Sequence, residues 1–203
     1  MTEEKRMAGT YEILQAVGIG AVEVVIGESQ NPAPGEKYMC GLCKENELWR
    51  GYYNLMVSDD YASILADFSR RITEETEKLR AELDKPASEG IDDRPVTAGF
   101  RPVPWDENLH GKVLVIRADV FKPEYRRATR QYQLCTGGFG ASPHSRGTAC
   151  YCTSLYTGKE SRFERLDVLG IADPEALPDW AKAGLQKIRE TQQERTRKSQ
   201  EAR

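Results

Sequence analysis

Apolar residues come in short runs over the first part of the chain. Tyr11-Glu12-Ile13-Leu14-Gln15-Ala16-Val17 and Ala21-Val22-Glu23-Val24-Val25-Ile26-Gly27 flank Gly18-Ile19-Gly20, a pattern that predicts two paired strands. Asn31-Pro32-Ala33-Pro34-Gly35 interrupts it as a loop. Between Tyr38 and Val57, the side chains of Tyr52, Tyr53, Leu55 and Val57 predict a third and a fourth strand. The period then changes. Tyr61, Ile64, Leu65, Phe68, Ile72, Leu79 and Leu83 recur at helical spacing, with Ser58 placed to cap the start, Asp59 and Asp60 complementing the positive end of the dipole, and Pro86 expected to close the helix.

From Pro86 to His110 the chain holds Pro95, Pro102, Pro104, Gly90 and Gly99 with little apolar periodicity, and it reads as a linker over 86–110. Beyond it, Lys112-Val113-Leu114-Val115-Ile116-Arg117 predicts a buried strand. Three further β segments are expected at Gln131–Cys135, Thr148–Leu155 and Arg162–Val168, the last two joined by a tight turn at Tyr156-Thr157-Gly158-Lys159. Leu177-Pro178-Asp179-Trp180 opens a terminal helix whose apolar side carries Trp180, Leu185 and Ile188. From 189 onward the residues are polar all round, which suits a frayed or disordered end. The expected fold class is α+β in two small lobes. An N-terminal sheet with one long helix (1–85) is followed by the linker, a C-terminal antiparallel sheet (111–176) and a terminal helix (177–203).

Composition narrows the setting. With 203 residues, 39% hydrophobic and 30% charged, the chain has enough apolar material for real cores. No run of eighteen apolar residues occurs, and Met1-Thr2-Glu3-Glu4-Lys5-Arg6 does not open a signal peptide, so a cytoplasmic protein with no membrane association is expected. Five cysteines form an odd set that agrees with a reducing compartment. The net charge of −3 conceals a polarity. Residues 1–98 carry 11 Lys+Arg against 19 Asp+Glu, and residues 99–203 carry 18 against 13.

Candidate chemistry is sparse. Cys40-Gly41-Leu42-Cys43 has the spacing of a zinc knuckle, and Cys150-Tyr151-Cys152 could complete a four-sulfur site; alternation on a strand explains the second pair equally well. A redox dithiol at Cys40 and Cys43 lacks the βαβ setting such motifs accompany. The two histidines, His110 and His144, do not have metal-ligand spacing, and a Cys135 with His144 as nucleophile and base lacks a nameable third group. A binding protein without a cofactor is therefore expected, not an enzyme. Two kinds of surface stand out for it. Glu74, Glu75 and Glu77 on the long helix, with Gly137, Gly138, Phe139 and Arg146 in the glycine-rich stretch, are candidates for contact with a protein partner. Lys122, Arg126, Arg127 and Arg130, interleaved with Tyr125 and Tyr132, are candidates for contact with a nucleic-acid backbone.

The stretch from Tyr132 to Gly170 contains Leu134-Cys135-Thr136-Gly137-Gly138-Phe139-Gly140, Arg146-Gly147, Leu155-Tyr156-Thr157-Gly158 and Arg165-Leu166-Asp167-Val168-Leu169-Gly170. It resembles accessory proteins carried by plasmids and integrative conjugative elements of gut Firmicutes. The resemblance implies a mobile-element setting, where small proteins counter host restriction or CRISPR defence, and it assigns no residue a role. A protein inhibitor of a host nuclease such as a CRISPR effector, or of its nucleoprotein complex, is the first functional expectation. A nucleic-acid-binding accessory protein is the second.

Overall fold

In the computed structural model, which describes residues 5–45, 49–144 and 146–201, the chain is α+β and divides into two compact units, Met1–Lys85 and Pro86–Arg203. Ala202 and Arg203, the end of the expected terminal helix, lie outside the described residues.

The first unit is an antiparallel meander of β1 (Met7–Ala8), β2 (Tyr11–Ile19), β3 (Val22–Ser29), β4 (Tyr38–Glu45) and β5 (Arg50–Ser58), in that spatial order. β2 runs through Gly18, and the hairpin turns at Gly20 with φ +56°, a value glycine adopts without steric cost. The long helix α1 (Tyr61–Ser88) lays Ile64, Phe68, Ile72 and Leu79 on one face of the sheet, against Val24, Ile26, Cys40 and Leu42. Its cap is Asp60, not Ser58: Asp60 Oδ1 accepts from Ala62 N at 3.0 Å and Oδ2 from Ser63 Oγ at 2.5 Å. Asp59 instead accepts the amides of Gly35 and Lys37, tying down the proline-rich loop. Nor does Pro86 close the helix. The chain turns at Gly90 (φ +73°), where Ile91 N donates to Pro86 O at 2.9 Å and Gly90 N to Ala87 O at 3.0 Å. This Schellman arrangement satisfies the last carbonyls and needs the left-handed residue that glycine supplies.

The second unit is a six-stranded antiparallel sheet, ordered β10-β9-β8-β7-β11-β6, with α3 (Asp179–Glu201) against one face. Its strands are β6 (Phe100–Arg101), β7 (Val113–Ile116), β8 (Tyr132–Gly137), β9 (Ala149–Ser154), β10 (Glu160–Glu164) and β11 (Val168–Ala172), with the single helical turn α2 (Ala128–Gln131) leading into β8. All four residues of β7 are buried, because both sheet faces are covered. Val113 and Val115 join Leu177, Ala181 and Leu155 under α3. Leu114 and Ile116 face the opposite way, toward Leu109, Cys135, Cys150, Cys152 and Ile171.

Two expectations are corrected here. The 86–110 stretch is not a linker, since it is built into this unit. Val96 packs into the core under α3, Phe100 and Arg101 pair with Ala172 and Ile171, and Leu109 is fully buried. Its backbone is also claimed: Thr129 N donates to Asp93 Oδ1 at 2.7 Å, and Gln131 accepts from Val96 N at 2.8 Å. The single strand expected at 162–168 is two strands separated by a 3-10 turn, Arg165–Asp167, closed by reciprocal capping between Glu164 and Asp167. Among the described residues no helix is long and apolar enough to cross a membrane.

Candidate functional site: an exposed aromatic patch on an arginine clamp

The 3-10 turn points Arg165 inward. The residue is 9% exposed, and its guanidinium donates to four backbone carbonyls: Gly140 O at 2.7 Å, Glu107 O at 2.8 Å, Pro104 O at 3.0 Å and Trp105 O at 3.2 Å. A planar fork of five donors suits this task, because it binds two separate loops at once. One is the Pro102–Glu107 segment, also anchored through Glu107, which pairs with Arg101 at 3.0 Å and with Lys112. The other is the glycine-rich loop after β8.

The glycines of that loop serve its own folding. Gly138 (φ +98°) lies against the carbonyl of Ala149, and Gly140 against that of Thr148, so closely that a Cβ at either would collide with backbone. The two limbs touch only because these residues have no side chain. Phe139, between them, is directed outward and is 77% exposed, with its Cβ over Gly147.

Trp105 and Leu166 border one small cleft, and Phe139 stands on the loop whose Gly147 lines it. Trp105 is 65% exposed, with its ring centroid 5.8 Å from the Arg165 guanidinium carbon, and Leu166, turned out by the geometry that turns Arg165 in, is 72% exposed. Trp105, Leu166 and Gly147 border a cleft of about 80 Å³ floored by Arg165, and His144 (φ +55°) stands on its rim. Scattered exposed apolar residues are ordinary, but Trp105 and Leu166 on one cleft, with Phe139 on the adjoining loop, have the form of an interaction hot spot.

The predicted partner-contact residues fall on different parts of the chain. Gly137, Gly138 and Phe139 belong to this loop, and Arg146 is exposed near its end. Glu74, Glu75 and Glu77 lie on α1 in the other unit; Glu74 pairs with Arg70, Glu75 pairs with Lys78 at 2.6 Å, and Glu77 is exposed. The basic segment is engaged within its own unit. Arg126 Nε donates to Phe121 O at 3.2 Å, Arg127 Nε to Glu124 O at 3.1 Å, Arg127 also pairs with Asp93 at 3.7 Å, and the Arg130 guanidinium lies 4.7 Å from the Tyr125 ring centroid. Lys122 precedes a 3-10 turn at Pro123–Tyr125.

Cys40 and Cys43 do not form a knuckle. They sit on β4 with their side chains on opposite faces, Cys40 against α1 and Cys43 beside Val25 and Met39. Among the described residues no group of three or more His, Cys, Asp or Glu side chains is arranged to hold a metal ion. Sequence reasoning missed Trp105 and Leu166 as surface features, because one falls in the stretch read as a linker and the other in an expected strand. It also missed the inward-facing role of Arg165, whose partners are carbonyls that no sequence motif marks.

Comparison with known proteins finds no family model, no curated protein and no solved structure that matches this chain.

Proposed function

We propose that this chain is a protein-binding accessory factor of a mobile element, and that it recognises its partner through the Trp105, Phe139 and Leu166 patch. The observation that carries the reading is the exposure of these three side chains on loops that Arg165 and two glycine contacts hold in place. Rigid aromatic anchors lose little freedom on binding, so they suit the centre of a protein interface. A host nuclease is the partner class we favour. The excess of Asp and Glu over residues 1–98 suits a partner with a basic surface, and a nuclease must present one to its nucleic acid.

The test compares the wild-type chain with the triple variant Trp105→Ala, Phe139→Ala, Leu166→Ser in capture from a bacterial lysate, read by mass spectrometry. A nuclease retained by the wild type and lost from the triple variant is the expected result. The same captured set from both proteins defeats the assignment. A gel-shift titration against single- and double-stranded DNA at rising salt is the counter-test. A steeply salt-dependent shift lost on replacing Arg126, Arg127 and Arg130 together would put phosphate binding in place of protein binding.

A further inference from the structure

Cys135, Cys150 and Cys152 are all fully buried or nearly so, share one apolar cluster and have no disulfide among them. Cys135 on β8 is in register with Cys152 on β9, and Cys150 lies two residues before Cys152 on the same face. The ladder shows which kind of pair this is. Cys135 N donates to Lys112 O at 2.9 Å and Cys135 O accepts from Gly111 N at 2.8 Å, so both of its backbone groups point away from β9. Cys135 and Cys152 are therefore a non-hydrogen-bonded antiparallel pair, the closer of the two kinds, with Cα atoms about 4.5 Å apart. That separation lies within the range a disulfide spans without moving the backbone.

The geometry points to a reversible oxidative modification site, in which Cys135 and Cys152 form a cross-strand disulfide when the protein meets a hydroperoxide. Cys150 is the positioning residue. The Cys150 and Cys152 thiols beside Cys135 favour its thiolate, and Cys135, with burial, holds their own ionisation back. His110 adds a favourable charge interaction with Cys135. Access runs through the glycine-rich loop, because Cys135 Sγ contacts Gly137 O and Cys150 Sγ contacts Thr148 O, both at 3.8 Å, at the two roots of that loop. Transient release of the Arg165 clamp on that loop exposes the sulfurs to so small an oxidant without unfolding the sheet.

The chemistry balances with hydrogen peroxide as the oxidant. The Cys135 thiolate attacks one peroxide oxygen and becomes a sulfenic acid, and the departing hydroxide takes a proton to leave as water. The Cys152 thiolate then attacks the sulfenic sulfur, the S–S bond forms and a second hydroxide leaves, protonated by the proton Cys152 gave up. Two thiols and one peroxide give one disulfide and two waters, and a small-molecule dithiol reverses the step.

Trypsin cuts after Arg130, Arg146 and Lys159, which places Cys135 in one peptide and Cys150 with Cys152 in the next. The full-length protein is reduced, desalted, treated with hydrogen peroxide, denatured in an alkylating agent and mapped without reduction. The expected result is a linked pair of these peptides, lighter by two hydrogens, with Cys150 alkylated, and loss of the pair on dithiol treatment. Cys152→Ser should abolish the link to that position. Cys150→Ala should retain it while slowing its formation, and Cys150→Ser, which keeps a polar side chain beside Cys135, should recover part of the rate. Complete alkylation of all three cysteines after peroxide overturns the proposal, as does a bond confined to Cys150 and Cys152. The wild-type map decides the matter even where a variant fails to fold.

Discussion

Gly184 of α3 lies flat against the backbone of Leu155, just past the end of β9, and a Cβ on that glycine would run into the Leu155 carbonyl. The helix approaches the sheet this closely because a side chain is missing at one point of contact. Flanking it, Trp180 meets Tyr132 and Tyr156 edge to face at centroid distances of 5.8 and 6.0 Å.

Gly184→Ala sets two effects against each other. Alanine is the better helix former by about 1 kcal/mol, but overpacking a closed contact costs about 1 to 3 kcal/mol. Net destabilisation is expected in urea denaturation followed by circular dichroism, and an unchanged or raised midpoint would show that α3 can lift off the sheet freely.

Gln131 is buried, donates through Nε2 to Ile116 O at 2.8 Å and accepts from Val96 N at 2.8 Å. Gln131→Ala leaves both backbone groups without that partner, and a loss of about 2 to 4 kcal/mol is expected. Gln131→Glu keeps the acceptor and sets a carboxylate against the Ile116 carbonyl, so it should be as damaging at neutral pH and milder in acid, where the carboxyl regains a proton to donate.

Asp67 on α1 is buried, and burial alone works against its charged form. Arg71, donating Nε at 2.5 Å, and Arg70 overcome that and hold the carboxyl below the ordinary aspartate range. A group whose folded pKa is depressed stabilises the fold above its unfolded value, and the contribution is lost as pH falls through the folded one. Unfolding free energy measured against pH should therefore decline below pH ~4, and Asp67→Asn should reduce both the neutral-pH stability and that acid slope. An identical slope in the variant would assign the acid sensitivity to other carboxylates.

Arg165→Lys replaces a planar fork by a single ammonium that cannot serve carbonyls on two loops together. Hydrogen exchange should accelerate at residues 102–109 and 138–144 and stay unchanged at residues 11–29. Uniform acceleration would mean that Arg165 supports the whole chain and not this clamp.

The sequence made the regular parts legible. The branched runs of β2 and β3, the helical period of α1 and the continuous apolar run of β7 each stated its own environment. What escaped was decided by long-range contact. Phe100 and Arg101 become a strand only because β11 offers an edge, and the proline content around them argued for a linker. Pro86 read as a stop, although the stronger signal was Gly90 four residues on, where a positive φ completes the cap. The thiol pairing of Cys135 with Cys152 depends on register across a glycine-rich loop whose length conceals it. The inward turn of Arg165 could not be foreseen, because the acceptors it seeks are main-chain atoms of residues 25 to 61 positions earlier.

Synthesis from the N-terminus treats the two sheets differently. In the first, every strand pairs with the one made just before it, so each ladder can close as soon as its hairpin has emerged. In the second, Phe100 and Arg101 find their partners only when Ile171 and Ala172 have been made. A ribosome paused between these points would carry an ordered meander followed by a stretch open to proteases, and a chain truncated before residue 168 would be degraded from that stretch outward.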